Sequence, residues 1–486
     1  METQRQKIIK YCVPLILYAA VFIVLLSSCA WHSTPVTNPD DIVYAPLRFE
    51  PPKAQRVKLE NGIILYMLED HEIPLVNISA VIRMGSFYDP PRKEGLADIT
   101  GTVMRTGGTK SMTGNRIDEE LDFIAGKITV SVGTDSCTLS MSVLEKDMDK
   151  GLQIFSDILI NPVFSEGKLE TAKILETEAI ERISDNPQKI AFREFRRLMY
   201  HGDLRGRLSS VESIGKIERD DLLNFYKRFF RPGNVMIALS GDIETADAVK
   251  KIKNSLGAWN IPGDPEKPPP PPVRVGASLN YIHKDTPQSV IIIGQSAPGK
   301  ESSDYYAFEV LDFITGSGGF RSRIFAEVRN RLGLAYSAGS FYSPRTEYGV
   351  FGAYAMAKGS STVDALSAMT KILDNMRDRG VESGEELAWA KESIINNFIF
   401  SFSEPSQIVM GQMMLEFNGL PDNFLTNYKD NIEMVKSSDL RYVAAHYLSG
   451  ESRIVLVLGN KEKFSKPLSS FGDFHREISG TENQEN

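Results

Sequence analysis

The chain has 486 residues, of which 42% are hydrophobic and 24% are charged, an ordinary globular composition. Because one hydrophobic core rarely extends over so long a chain, we expect roughly two to four domains. The formal net charge of -8 argues against a nucleic-acid partner, since phosphate backbones select basic surfaces.

The first feature along the chain is an apolar run, Val13 to Leu26, preceded by basic residues and followed by small residues and Cys29. The run is shorter than the roughly 20 apolar residues of a membrane-spanning helix. This pattern is typical of a lipoprotein signal peptide, residues 1–28, with lipidation at Cys29; a plain signal anchor with a chance cysteine is the alternative. We therefore expect a lipid-anchored protein of the bacterial cell envelope, on the periplasmic side. Ala30 is not aspartate, which by enterobacterial sorting rules favours the outer membrane.

A polar tether, 29–54, precedes a first domain at 55–260, in which apolar spacing predicts strands and helices. Five consecutive prolines lie in a linker, 261–275, and make it the best domain boundary in the sequence, because such a run enters neither regular structure. A second domain, 276–468, and a polar tail, 469–486, complete the chain. The helices predicted in the two domains are 96–105, 115–125, 147–159, 166–184, 220–230, 245–255, 303–315, 320–331, 361–378 and 383–398.

The second half repeats the plan of the first. A helix, a short turn, a buried strand and a glycine close both halves, at 225–241 and at 443–459. This weak tandem duplication predicts an α+β fold of two homologous α/β-sandwich domains, each a sheet with helices packed on one face.

Several short motifs occur in a fixed order: Gly95-Leu96-Ala97, Gly108-Thr109, an Arg-Pro-Gly-Asn run at 231–234, Arg323 to Arg329, and Gly333-Leu334-Ala335-Tyr336-Ser337. The ordered set resembles the pitrilysin/insulinase family of zinc peptidases, and especially its mitochondrial-processing-peptidase-like branch. The resemblance extends from about residue 55 to about residue 465. It implies a metallopeptidase fold of LuxS/processing-peptidase type.

The zinc motif of that family is degenerate in this chain. In the family's His-x-x-Glu-His register, the first histidine becomes Asp98, the glutamate becomes Gly101 and the second histidine becomes Thr102. The third family ligand, a glutamate on a later helix, matches Glu178, with Glu176 as the alternative. Two carboxylates are too few ligands for a catalytic zinc, and a glycine supplies no base to activate water. We therefore expect this chain to bind no zinc.

The second-half motif is intact. In active relatives an arginine and a tyrosine hold the carbonyl oxygen of the substrate, and the matching residues are Arg329 and Tyr336. Their role would be electrostatic, a cation and a phenol donor where negative charge develops. The structural alternative is that Arg329 pairs with Glu327 or Glu347, while Tyr336 packs at a helix end.

Three functions follow as hypotheses. The resemblance favours the zinc-free subunit of a heterodimeric metallopeptidase, in which a zinc-bearing paralogue supplies the metal and both subunits act on peptides or unfolded segments. A non-enzymatic scaffold with the same fold, like the core subunits of the respiratory cytochrome bc complex, is the alternative. An active peptidase with an unorthodox metal site is disfavoured, since every histidine of the chain lies outside the degenerate motif.

Overall fold

The computed structural model describes residues 50–264, 267, 269–273, 276–471 and 476–478. The predicted signal peptide, Cys29 and most of the predicted tether lie outside the described residues. Within these ranges, we find no helix whose length and apolar content would suit a membrane span.

The first half is built on a six-stranded sheet in the order β1-β2-β6-β3-β5-β4, with β2 and β6 parallel and the other neighbours antiparallel. Every second side chain of β5 is buried, as expected for a strand with one face against a core. The strands are β1 Gln55–Lys58, β2 Ile64–Glu69, β3 Leu75–Ile82, β4 Lys127–Val132, β5 Cys137–Leu144 and β6 Val235–Gly241. The helices are α1 Leu96–Thr106, α2 Gly114–Phe123, α3 Met148–Ile160, α4 Glu166–Glu181, α5 Pro187–Met199, α6 Val211–Gly215, α7 Arg219–Phe229 and α8 Thr245–Leu256.

The second half has its own six-stranded sheet, in the order β12-β7-β11-β8-β10-β9. Its strands are β7 Ser278–His283, β8 Gln288–Pro298, β9 Ala335–Pro344, β10 Tyr348–Lys358, β11 Ile454–Gly459 and β12 Arg476–Ile478. Its α-helices are α9 Tyr305–Asp312, α10 Thr362–Arg379, α11 Gly384–Phe400, α12 Pro405–Asn418, α13 Tyr428–Met434 and α14 Ser437–Tyr447. Two π-helical segments, Phe313–Ser317 and Phe325–Arg331, lie between α9 and β9.

The two sheets share one topology, which confirms the predicted pair of α+β domains. The parallel pair β2–β6 corresponds to β7–β11, and the antiparallel series β6-β3-β5-β4 corresponds to β11-β8-β10-β9. The chain order of the strands is also the same in both halves. Only the outermost strands differ, because β1 is antiparallel to β2 whereas β12 is parallel to β7.

Each half lends one helix to the other. Helix α5 of the first half packs on β8 and β11, and helix α12 of the second half packs on β2 and β6. Two small cores form there, one around Phe195 of α5 and one around Met413 of α12. The face of each sheet opposite its own helices is therefore covered by the other half.

The linker and the tail both contact the folded halves. The described residues on both sides of the proline run belong to one compact unit. The buried guanidinium of Arg205 donates to the carbonyl oxygens of Pro269 (3.2 Å) and Pro270 (2.6 Å) and fixes the linker against the first half. The polar tail contributes β12 to the second sheet. The single helix predicted at 320–331 is a 3-10 turn followed by the second π-helical segment.

Candidate functional site

Helix α1, which carries the degenerate motif, is fixed at its first turn. It follows Gly95, whose φ of 101° favours glycine. The carboxylate of Asp89 accepts the backbone N–H groups of Gly95 and Ala97, each at 2.8 Å, and so satisfies donors that a helix leaves unpaired. Burial raises the pKa of Asp89 to about 7, although the two hydrogen bonds act in the opposite direction.

Asp98 is half-buried on α1 and faces α4. Burial raises the pKa of this carboxyl to about 6, the charge of Glu176 raises it further, and the guanidinium of Arg196 opposes both. Glu178 is exposed and pairs with Arg182 at 3.3 Å. The carboxylate of α4 that acts on Asp98 is therefore Glu176, the alternative position, and not Glu178.

Gly101 and Thr102 lie on different sides of α1. Gly101 is buried against β4, and a Cβ placed on it would lie 2.5 Å from Cγ2 of Val132 and 3.0 Å from Cγ1 of Val130. Thr102 is exposed to solvent. A glutamate at position 101 would have to displace the valines of β4, so the place of a general base is filled by the packing of helix on strand.

The donor set of this region does not fit a catalytic zinc. Asp98 and Glu176 are two carboxylates of this region, and the carboxylate of Asp89 is already taken up by the backbone N–H groups of Gly95 and Ala97. A catalytic zinc site needs three protein ligands, usually with histidine among them. Within the described ranges, no group of three or more histidine, cysteine, aspartate or glutamate side chains has the arrangement of a metal site.

Arg329 lies in the second π-helical segment, Phe325–Arg331. Backbone hydrogen bonds from Leu332 N to Glu327 O (2.9 Å) and from Leu334 N to Val328 O (3.0 Å) close the end of this segment. The guanidinium of Arg329 lies 4.5 Å above the ring of Phe325. Among the described residues Arg329 makes no salt bridge, and the nearby Glu327 pairs with Arg331 instead. Neither acidic partner of the structural alternative is used, and π-helical turns occur frequently at functional sites.

Tyr336 is the second residue of β9, the edge strand of the second sheet. Its side chain is 60% exposed, and its hydroxyl donates to Sδ of Met356 at 3.3 Å. It therefore presents most of its ring to solvent from a strand, rather than packing at a helix end. Arg329 and Tyr336 lie in consecutive elements of the second half, the second π-helical segment and β9, whereas Asp98 belongs to the first half. No described hydrogen bond or ion pair joins Asp98 to either residue.

Sequence reasoning missed two contributors to the first region. Arg196 comes from α5, a helix that the sequence patterns do not predict, and Val132 comes from the edge strand β4. The alternation along 127–144 could have indicated that β4 lies beside α1, but no local signal connects Arg196 to Asp98 across a hundred residues.

Comparisons with known proteins match most of the described chain to one family. The sequence model of insulinase (peptidase family M16) matches residues 66–208, and the model of the peptidase M16 inactive domain matches residues 216–393. The chain is 28% identical to an uncharacterized zinc protease of Rickettsia bellii, over 70% of this chain and 82% of the relative. It is 24% identical to a non-peptidase homolog of Helicobacter pylori, over 81% of this chain and 91% of the relative. It is 22% identical to the beta subunit of the mitochondrial-processing peptidase of Rattus norvegicus, over 87% of each chain.

Solved structures agree on the fold. A peptidase M16 inactive domain from Pseudomonas fluorescens superimposes with a TM-score of 0.79 at 21% identity, covering 86% of this chain and all of the other. A protease from Helicobacter pylori superimposes with a TM-score of 0.76 at 19% identity, covering 84% of this chain and 99% of the other. At these identities the likeness extends to the fold and no further.

Proposed function

Since the chain belongs to peptidase family M16, the insulinase family, and is an inactive-type homologue within it, we propose that it is the zinc-free subunit of a two-subunit metallopeptidase. The partner is a paralogue with an intact His-x-x-Glu-His motif, which provides the zinc and the general base. This chain contributes Arg329 and Tyr336, which hold the carbonyl oxygen of a peptide or an unfolded segment in the partner's active site.

The observation that supports this division most directly is the exposure of Arg329 and Tyr336. An arginine with no acidic partner among the described residues keeps its charge available, and its stacking on Phe325 limits its motion. The phenol of Tyr336 is 60% exposed, and its present acceptor, the thioether of Met356, is a weak one that a substrate oxygen can replace. Donors of this kind stabilise developing negative charge most where their positions are fixed beforehand. The rat relative is by its name one subunit of a peptidase, which is consistent with a paired arrangement.

We also propose that the mature protein is anchored by a lipid at Cys29 on the periplasmic side of the outer membrane. The basis is the sequence pattern of residues 1–29. A single acyl chain would give only reversible membrane attachment, so the number of acyl chains on Cys29 determines how firmly the protein is held at the membrane.

The first test is reconstitution. The chain is co-expressed with a zinc-bearing paralogue, the complex is recovered from the membrane fraction, and cleavage of a fluorogenic peptide is measured. Arg329→Ala and Tyr336→Phe are each expected to lower kcat/KM by about 10-fold or more with assembly unchanged, because each removes one transition-state donor. A complex in which residues 1–29 are replaced by a cleavable signal peptide without a lipidation site is expected in the soluble fraction with the same specific activity.

The chain offers matched controls for both substitutions. Arg441→Ala removes an exposed arginine of α14, and Tyr442→Phe removes the hydroxyl of a tyrosine that is 59% exposed on the same helix. Both control complexes should cleave at the original rate. Two results would instead favour the non-enzymatic scaffold. One is undiminished cleavage by the Arg329 and Tyr336 variants, and the other is purification of the chain as a stable homodimer or with an unrelated envelope protein. The Helicobacter pylori relative is by its name a non-peptidase homolog.

A further inference from the structure

A cavity of about 510 Å³ lies between the two halves, away from the Arg329–Tyr336 turn. Its wall combines residues of the first sheet region, the proline linker, the β9–β10 hairpin and helix α12. This volume is in the range of sites that enclose a small organic molecule. The proposed peptidase role makes no use of it.

Four cations line the cavity, and two of them are neutralised. Arg205 is bound by Asp203, with both carboxylate oxygens at 2.9 Å from Nη1. Arg345 pairs with Asp135 at 3.0 Å and joins the second half to the first. Neither of these guanidinium groups requires a further anion.

The other two cations, Arg83 and Lys300, have no salt-bridge partner within the part of the chain that the structure describes. Arg83 donates to the carbonyl oxygen of Phe417, and its guanidinium lies 4.0 Å above the ring of the same residue. Burial lowers the pKa of Arg83 and that of Lys300. The charge of Asp135 acts against this on Arg83, and that of Glu309 on Lys300, but in both cases burial is the larger cause, so both charges are held at a cost in desolvation. A bound anion would lower this cost.

The acidic residues and the rings of the wall restrict the ligand further. The wall holds three carboxylates: Asp135, which pairs with Arg345, and the exposed Glu301 and Glu347. None of the three forms a described salt bridge with Arg83 or Lys300. Phe417 and Phe87 are buried and give the wall an aromatic surface, with the guanidinium of Arg205 5.0 Å from the ring of Phe87. An anion with an apolar body suits this wall better than a bare inorganic ion, because the rings gain from covering apolar surface.

We propose that this cavity binds a carboxylate that bears an aromatic group, with Arg83 and Lys300 holding the carboxylate and the rings of the wall holding the body. The planar guanidinium of Arg83 can meet a carboxylate with two donors, and Lys300 adds a compact charge. Such a group is found on a free aromatic acid and at the C-terminus of a peptide that ends in an aromatic residue. This inference does not depend on the proposed peptidase role.

The test uses N-acetyl-phenylalanine and its neutral amide, N-acetyl-phenylalaninamide, in isothermal titration calorimetry with the purified protein. Saturable binding of the acid, at least tenfold tighter than that of the amide, is expected. Lys300→Met, which keeps the aliphatic stem, should weaken binding of the acid at least tenfold. Lys358 is exposed at the end of β10 that lies away from the cavity, so Lys358→Met should leave binding of the acid unchanged. A tripeptide ending in phenylalanine, added in a further titration, distinguishes a peptide terminus from a free acid as the source.

Several results would overturn the proposal. Equal binding of acid and amide would remove the role of the charge, and binding of inorganic phosphate as tight as that of the acid would remove the role of the rings. If Lys300→Met unfolds, Arg83→Lys serves in its place, since it keeps the charge but loses the planar pair of donors; unchanged affinity in that variant contradicts the proposal. Variants of Arg329 and Tyr336 should bind the acid normally, so this test and the peptidase test fail independently.

Discussion

Asp98 stands where burial and the charge of Glu176 both disfavour its ionised form. In the folded protein this carboxyl titrates with a pKa of about 6, above the 3.8 of an unperturbed aspartate. Between these two values the folded state binds more protons than the unfolded state, so the free energy of unfolding decreases as the pH rises through this window. Above about pH 6 the penalty is complete and no longer changes.

We therefore predict that Asp98→Asn stabilises the protein at neutral pH. The gain in the free energy of unfolding should be roughly 1–2 kcal/mol at pH 7, allowing for partial solvent screening, and should vanish near pH 4. Urea unfolding of both proteins at a series of pH values measures it.

Glu178→Gln is the matched control for this prediction. Glu178 is exposed on the same helix as Glu176 and belongs to a surface ion pair of small energetic value. Its substitution should change stability by less than about 0.5 kcal/mol at any pH. A pH-independent gain in Asp98→Asn, or none at all, would contradict the assignment of a raised pKa to Asp98.

At the scale of elements, the two exchanged helices explain how the sheets are closed. Phe195 of α5 is buried against β8, next to Gly294, where a Cβ would collide with the phenylalanine ring. Glycine at 294 is needed for this close approach of helix and sheet. On the first sheet, Met413 of α12 is buried in the corresponding small core.

The exchange yields a prediction for stability. Phe195→Ala should lower the free energy of unfolding by about 3–5 kcal/mol, since it removes a buried ring and leaves a cavity between the halves. Phe123→Ala is the control: this ring is 88% exposed on α2, so its loss should cost well under about 1 kcal/mol. Equilibrium denaturation measures both, and comparable losses in the two variants would show that the exchanged helix contributes little to stability.

At the scale of the molecule, the two halves are joined by far more than the linker. Beyond the two exchanged helices, Arg345 pairs with Asp135, and Arg56 makes two hydrogen bonds of 2.7 Å to Glu416. These contacts connect residues more than two hundred positions apart. The described chain therefore behaves as one unit, although its sequence is a duplication.

A cut in the linker tests this directly. A protease recognition sequence is introduced at residues 262–267, and the purified protein is cleaved there. We expect the two fragments to elute together from a sizing column under native conditions and to separate in guanidinium chloride, because buried apolar contacts join them independently of the peptide link. Separation of the fragments in native buffer would show that the linker, and not the exchange, holds the halves together.

The sequence by itself determined most of the local structure. Period-2 and 3–4 spacing predicted the sheets and most helices because burial on one face leaves such a pattern. The loss of the zinc motif at Asp98, Gly101 and Thr102 was also readable, since the ligand chemistry of zinc depends on residue type. The retained Arg329 and Tyr336 remain a prediction about function.

Tertiary structure decided the rest. Helix α12 buries residues around most of its circumference, so the sequence shows no amphipathic face there. Helix α5 begins at Pro187, which the sequence pattern treats only as the end of the preceding helix. The side chain of Asn186 caps α5 by accepting from the backbone N–H of Lys189. Three features depend on contacts between segments far apart in the sequence: the carboxylate that acts on Asp98, the side chains that fill the place of the base at Gly101, and the placement of Arg83 and Lys300 in the wall of one cavity. Local spacing carries no information on such contacts, because they arise only when segments far apart in the sequence pack against each other.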